Sequence, residues 1–324
     1  MELPLEIRNA IENELYSQSI KKIAELAEKL SNNYRSGVHS RDCRFLQTPE
    51  EILAYVAFRL PGTYAAIYSA LSQIKERSLG WEPKTVLDVG AGPGTGMWAA
   101  LNLWPNMERI TLLEREKYMI ELGKKFAAYS NNISIQKAQW INVDITDNWN
   151  IIPHDLVIAS YILNELPQGL MENIINKLWE NTADILVIIE PGTPAGFERI
   201  KQAREQLINL GAKTIAPCPH NYLCPMDKND WCHFSQRISR SKLHRLVKSG
   251  ELAYEDEKFS YVCMSRIKET KITTEGIVIR HPQIRKGHIL LELCTIDGIR
   301  KITVTRKDKN LFKKARKLKW GSML

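Results

Sequence analysis

The sequence predicts an α/β chain built on a doubly wound, mostly parallel sheet, and three observations carry that reading. Short apolar, β-branched runs alternate with amphipathic stretches from residue 84 to residue 211. A glycine-rich turn, 85-TVLDVGAGPGTG-96, directly follows the first of those runs. Helical spacing precedes this region, and a basic segment with short strand-like runs follows it. The chain divides accordingly into an N-terminal helical region over 1–80, a cofactor-type domain over 81–268 with a cysteine-rich loop at 217–234, and a small basic β module over 269–324.

The elements follow in order. Apolar positions recur at helical spacing over 5–30, and 31-SNNYRSG-37 reads as a break. A second helix starts at 48-TPEEILAYVAF-58, with Thr48 as cap and Pro49 at the first helical position. Pro61-Gly62 marks a break, and 63–76 is helical again. Strands are expected at 85–89, 109–114, 133–138, 155–161 and 184–190, with helices at 117–129, 170–181 and 197–211. The strands are nearly continuous in apolar character, as a sheet covered on both faces requires. Residues 251–266 read as a two-stranded hairpin. Strand-like runs at 276–280, 288–294 and 299–306 precede a basic helical end.

At 324 residues and 44% apolar, the chain can bury a sizeable core. No apolar run approaches the roughly 18 residues that span a bilayer, so no membrane partner is expected. The first residues, 1-MELPLEIRNAIENEL-15, resemble neither a secretory signal nor an Arg-rich transit peptide. A cytoplasmic location is the expectation, with reduced thiols that serve as metal ligands or core residues. The net charge of +8 is unevenly spread. Residues 266–324 hold 16 Lys and Arg against 5 Asp and Glu, a balance of +11, which leaves the rest at −3. A terminal module so basic points to a polyanion, most simply nucleic acid. Phe312 and Trp320 among its charges can stack on bases or pack the module.

In the glycine run, Asp88, Gly90, Gly92, Gly94 and Gly96 sit between a predicted strand and a predicted helix. Glycines there let the backbone turn sharply and approach a ligand, while helix amides face it. Glu114 ends the second strand, about 20 positions on, where a carboxylate can bind ribose hydroxyls. NAD is the competing ligand. The run Val-Leu-Asp-Val-Gly-Ala-Gly-Pro-Gly resembles the first motif of class I S-adenosylmethionine-dependent methyltransferases more than a dehydrogenase fingerprint. Ligands of such folds lie at the carboxyl ends of the strands. Asn164 and Glu165, after the fourth strand, and Glu190-Pro191-Gly192-Thr193, after the fifth, should line that crevice. Asp144 or Trp140 is a candidate adenine contact. The Asn/Asp-Pro-Pro-aromatic tetrapeptide of amino-group methylation is missing, since Tyr161-Ile162-Leu163-Asn164 occupies its place. No residue is assigned as catalytic.

Cys218, Cys224 and Cys232 are spaced C-x5-C-x7-C, with Pro219 and Pro225 stiffening the loop. Cys294 is a fourth candidate ligand, with His220 or His233 as alternatives for zinc. Cys43 and Cys263 read as structural.

Taken together, the Asp88 glycine loop, the Glu190-Pro191-Gly192-Thr193 turn, the three loop cysteines, Cys294-Thr295 and 315-ARKLKWG-321 resemble the mitochondrial small-ribosomal-subunit methyltransferase-like family and its bacterial-type relatives. The resemblance covers the chain from about residue 35 onward. It implies a class I methyltransferase fold, S-adenosylmethionine bound by Asp88, Gly90, Gly92, Gly94, Glu114, Asp144 and Asn164, and a structural [4Fe–4S] cluster on Cys218, Cys224, Cys232 and Cys294. It also implies rRNA of the assembling small ribosomal subunit as partner, for a chain monomeric off the ribosome. An rRNA methyltransferase is the first reading. A non-catalytic assembly factor and a small-molecule methyltransferase with a zinc site are the alternatives.

Overall fold

The computed structural model describes residues 1–16, 18–35, 48–167, 169–240, 245, 252–267 and 274–324. Cys43 and the end of the predicted 31–37 break lie outside the described residues.

Three helices lead: α1 (Leu5–Tyr16), α2 (Ile20–Arg35) and α3 (Pro49–Arg77). Thr48 caps α3 through a capping box with Glu51. The break expected at Pro61-Gly62 does not occur, and α3 runs straight through both residues. The helix is buried on either side of them, so packing outweighs the lost amide of Pro61. Gly62 has a reason of its own, because a Cβ there would come within 2.9 Å of the Glu257 carboxylate.

The central sheet contains β1 (Thr85–Val89), β2 (Arg109–Glu114), β3 (Gln139–Asn142), β4 (His154–Ser160), β5 (Thr182–Pro191), β6 (Lys213–Ala216), β7 (Phe234–Ser239) and β8 (Tyr254–Ser265). Its order is β3-β2-β1-β4-β5-β8-β6, with β7 also on β8. The first five strands are parallel, and β8 runs antiparallel to its neighbours. Chain order reverses between β1 and β4, which opens a crevice at their carboxyl ends. This is the doubly wound, class I methyltransferase architecture expected from the sequence. Alternate residues feed two cores: Val86, Leu156 and Ile158 face α3 and α4 (Thr95–Leu103), while Leu87, Val157 and Ala159 face α7 (Met171–Glu180) and α8 (Pro194–Asn209). Between β2 and β3 lie α5 (Lys117–Ala128) and the short α6 (Ile133–Gln136).

Two expected strand assignments differ in the structure. Residues 133–138 are not a strand: the Asn132 side chain accepts from Ser134 N at 2.8 Å and starts α6, and the strand begins only at Gln139. Residues 251–266 are not a hairpin. The single strand β8 spans Tyr254–Ser265, and its polar stretch Glu255–Lys258 mimics a turn in sequence. Arg240, Arg237 and Arg59 pair instead with Glu255, Asp256 and Glu257. On its outer edge, opposite β5, β8 pairs with β6 and β7 laid end to end, and local periodicity signals neither strand.

A second sheet follows, with β9 (Ile277–Val278), β10 (Gln283–Arg285), β11 (His288–Thr295) and β12 (Gly298–Thr305), and then α9 (Lys309–Ala315). Val278, Ile289, Leu291, Leu293, Val304, Ala315 and Leu324 form its core. The chain end folds back onto β9 through Gly321 N to Val278 O (2.8 Å) and Val278 N to Ser322 O (3.0 Å).

Candidate functional site

The glycine loop leaves β1 at the switch point. Gly90 N and Ala91 N both donate to Leu113 O, which pins the loop to β2. Gly90 has φ +67°, and a Cβ on it would collide with Ile162 after β4. Gly92 (φ +55°) faces open space, and Gly94 (φ +84°) is the N-cap of α4. Asp88 is wholly buried, and its Oδ2 accepts from Met97 N at 3.1 Å in the first turn of α4. Gly96 is required there, because a Cβ would sit 2.6 Å from that oxygen. Burial pushes the Asp88 carboxyl up to about 7, with Glu114 adding repulsion and the Met97 and Gly96 amides opposing it. Asp88 therefore braces the loop from beneath.

Glu114 closes the crevice floor. Its Oε2 accepts from Gly92 N (2.7 Å) and its Oε1 from Glu116 N (2.8 Å). Burial raises its pKa against those amide bonds. Asp144 stands at the rim after β3, accepting from Thr146 N (2.9 Å), with Arg115 at 3.7 Å. Trp140 packs inward, its ring against the Cα positions of Gly94 and Gly123.

After β4 the chain turns sharply at Tyr161 (φ +60°) into a short 3-10 turn over Leu163–Glu165. Glu165 in that turn faces Arg115 at 3.7 Å. Leu163 N donates to Glu190 Oε1 at 2.9 Å. Glu190 is fully buried at the end of β5, and burial pushes it up to about 8 against the pull of Arg199 at 3.7 Å. Glu190 Oε2 and Asn164 Oδ1 are both buried without a hydrogen-bond partner. The Tyr161 hydroxyl donates to Glu257 Oε1 (3.0 Å), which Arg59 also holds (3.1 Å). Sequence reasoning missed this Arg59–Tyr161–Glu257 group, because α3, the β4 turn and β8 supply one member each.

The cysteine loop interrupts the sheet edge between β6 and β7. Arg77 of α3 donates to Ile215 O (3.1 Å), Pro217 O (3.0 Å) and Gly321 O (3.3 Å). Arg204 of α8 donates to His220 O (2.6 Å) and Tyr222 O (2.9 Å). These arginines fix the loop while the second sheet brings in Cys294. The thiols lie close enough to interact electrostatically: Cys232 with Cys218, Cys224 and Cys294, and Cys294 with Cys218 and Cys224. Burial raises Cys218, with Arg204 opposing it and Cys224 adding to it, while burial and then the neighbouring thiols raise Cys232 strongly and push Cys294 up to about 12. Among the described residues, no group of three or more His, Cys, Asp or Glu side chains stands in position to hold a metal ion. His233 is engaged with aromatic rings: it stacks on Trp231 (5.2 Å) and meets Trp320 edge-on (4.9 Å). Both ring nitrogens of His220 are buried without a partner. Cys263 is wholly buried in β8.

The second sheet docks on this loop. Arg280 Nη2 reaches both oxygens of Asp230 at 2.6 Å, and Trp320 lies edge-on to His281 (4.7 Å) as well as to His233. Trp320 and Phe312 are thus packing residues, while Lys313, Lys314, Arg316, Lys317 and Lys319 are exposed. Among the described residues, no helix is long and apolar enough to cross a membrane.

A family model described as mitochondrial small ribosomal subunit Rsm22 matches residues 49–324. The human mitochondrial ribosome assembly protein METTL17 is 27% identical over 84% of this chain, and the match spans 62% of the human protein. The Saccharomyces cerevisiae mitochondrial ribosome assembly protein RSM22 is 25% identical over the whole chain and 74% of its own length. A solved magnesium protoporphyrin IX methyltransferase from Synechocystis PCC 6803 aligns at 11% identity and TM-score 0.42, covering 73% of this chain and 90% of that one. The fold assignment rests on strand order and not on that alignment. With its match running from α3 to the last residue, the chain belongs to the Rsm22 family.

Proposed function

We propose that this chain binds S-adenosylmethionine in the β1–β4 crevice and acts in assembly of the small ribosomal subunit, presenting the methyl donor to rRNA. The observation that carries the reading is family membership together with an intact glycine loop: three glycines at positive φ, one of them facing open space, beside the Glu114 carboxylate. Asp88, Gly90, Gly92, Gly94, Glu114, Asp144 and Asn164 are the proposed cofactor contacts and braces. The bound cofactor supplies an electrophilic methyl group. The protein bends the loop, offers the Glu114 carboxylate to hydroxyls and shapes the turn after β4. Rate enhancement would come from orientation, with no residue assigned as base.

Cys218, Cys224, Cys232 and Cys294 are the proposed ligands of a [4Fe–4S] cluster, with zinc as the alternative. Four thiols are the donor type such a group takes, and burial chiefly, with the neighbouring thiols adding to it, keeps Cys232 and Cys294 protonated, but in this structure the side chains do not stand in position to hold a metal ion. The cluster would crosslink the edge loop to the second sheet. Iron and sulfide analysis of anaerobically purified protein separates it from zinc. The module over 269–324 is our proposed rRNA grip.

Radiolabelled methyl transfer to small-subunit rRNA, free and in assembling particles, tests the function. Transfer that disappears in Gly92→Arg supports it. RNA binding without transfer supports a second reading, a non-catalytic assembly factor, which the locking of Tyr161 by Glu257 and Arg59 favours. Absence of RNA affinity at low salt sinks both. A cytoplasmic location remains our proposal. The named relatives are mitochondrial, and fractionation of the tagged chain decides between the two.

A further inference from the structure

The second sheet gathers unpaired cations at one end. Arg285 and Lys286 stand at the turn between β10 and β11, and Arg306 and Lys307 at the corner between β12 and α9, all exposed. Arg306 N donates to Gly287 O at 3.3 Å, which joins turn and corner into one surface. From that corner α9 leads away, with Lys309 and Lys313 exposed one turn apart while Phe312 and Ala315 pack on the core. Among the described residues, none of these cations pairs with a carboxylate, although Arg280, Arg300 and Lys301 of the same module do. The only carboxylate over 305–319 is Asp308, and its Oδ1 is taken by Leu311 N (2.9 Å) as the cap of α9. The charge at this end is therefore left for a partner outside the chain.

The same surface lacks stacking groups. Phe312 and Trp320 are the only Phe, Tyr or Trp residues over 274–324. Phe312 packs against the core of the second sheet, and Trp320 meets His233 and His281 edge-on with its indole nitrogen buried. Proteins that take single-stranded RNA combine a basic groove with aromatic faces on which bases stack. A duplex keeps its bases stacked on one another and displays phosphates and 2′-hydroxyls, so it is read by shape and charge. It also presents more phosphates per unit length, which favours a surface that works by charge alone. The sheet end and α9 are two arms from one corner, suited to the two phosphate rows that border a groove.

We propose that the end of the second sheet, together with α9, is a docking surface for double-stranded RNA, held by its backbone. The proposal rests on the reading of this module as an rRNA grip and narrows its ligand from RNA in general to a helical segment. Docking then waits on local folding of the RNA, because the two phosphate rows exist only once the strands have paired.

The test is fluorescence anisotropy of the full chain at low salt, with a labelled RNA hairpin and an oligouridylate carrying the same number of phosphates. The hairpin should bind roughly ten-fold more tightly. Arg285→Gln with Lys286→Gln disarms the sheet end, and Lys309→Gln with Lys313→Gln disarms the helix. Each pair should bring the ratio toward one, chiefly by weakening the hairpin, with the melting temperature unchanged because all four residues are exposed. Oligouridylate that binds as tightly as the hairpin overturns the proposal, as does hairpin affinity that survives either pair. Polyglutamate of equal charge that displaces the hairpin as well as unlabelled hairpin does would reveal a site for any polyanion, and would also overturn it. Where a variant does not fold, the ratio in the unsubstituted protein still decides. If neither RNA binds, the rRNA grip itself falls.

Discussion

Gly92 and Asp88 belong to one loop but do different work: one faces empty crevice, the other lies under the helix it supports. Gly92→Ala puts a methyl group into open space at φ +55°. The left-handed backbone costs an L-residue about 1–2 kcal/mol. We expect a modest drop in melting temperature and at least a ten-fold loss of S-adenosylhomocysteine affinity by calorimetry. Equal affinity would place the ligand elsewhere. Asp88 titrates at about 7 in the folded chain against an ordinary 3.8. Folded protein therefore holds a proton that the unfolded chain has lost. Its contribution to stability is full below about pH 4 and declines as pH rises to about 7. Asp88→Asn, which still offers an oxygen to Met97 N, should flatten the melting temperature over that window. An unchanged slope would assign it to Glu190, which is raised to about 8. Both Asp88 and Gly92 were legible as part of a glycine motif, but not their division of labour. That depends on Gly96 and Met97 closing over one carboxylate and on Gly92 standing clear of its neighbours.

At the scale of elements, the cysteine loop is an excursion from a sheet edge. β6 and β7 flank β8 end to end, and the chain between them carries three thiols. A structural cluster on the loop cysteines and Cys294, as the family resemblance implies, would join the loop to the terminal module. The structure supplies three protein joints as well: Arg280 on Asp230, Arg77 on Gly321, and Trp320 against His233. Cys294→Ser should therefore leave hydrogen-exchange protection of 276–280 and 320–324 largely intact. Arg280→Ala combined with Trp320→Ala should raise exchange in both segments, since the pair removes a packed aromatic and a half-exposed ion pair together. Reduced protection in Cys294→Ser alone would mean that the thiol carries the docking. Two local readings failed for different reasons, one to a neighbouring cap and one to packing. The Asn132 cap overruled the β-prone 133–138 run, and α3 kept its helix across Pro61 because both its halves are buried.

Over the whole molecule, charge and chemistry are separated. Buried carboxylates stand at the carboxyl ends of β1, β2 and β5, while the second sheet and α9 present cations to solvent. Because Phe312 and Trp320 pack inward, the proposed RNA contact is mainly electrostatic and tolerant of sequence. Replacing Lys313, Lys314, Arg316 and Lys317 by Gln should weaken small-subunit rRNA binding. The salt slope should also fall with each phosphate that the variant no longer neutralises. A slope that does not change would move the interface away from α9.

The sequence alone determined the doubly wound class, the glycine loop with its acidic partners and the basic end. Each is written in residues close along the chain, where spacing and composition act directly. Tertiary structure decided which groups meet. Arg59, Tyr161 and Glu257 form one group, Trp231 reaches Gly192, and Cys294 joins the loop thiols from another sheet. The reason is physical: these meetings follow from the crossover order of the strands and the edge placement of β6 and β7, which no local periodicity encodes.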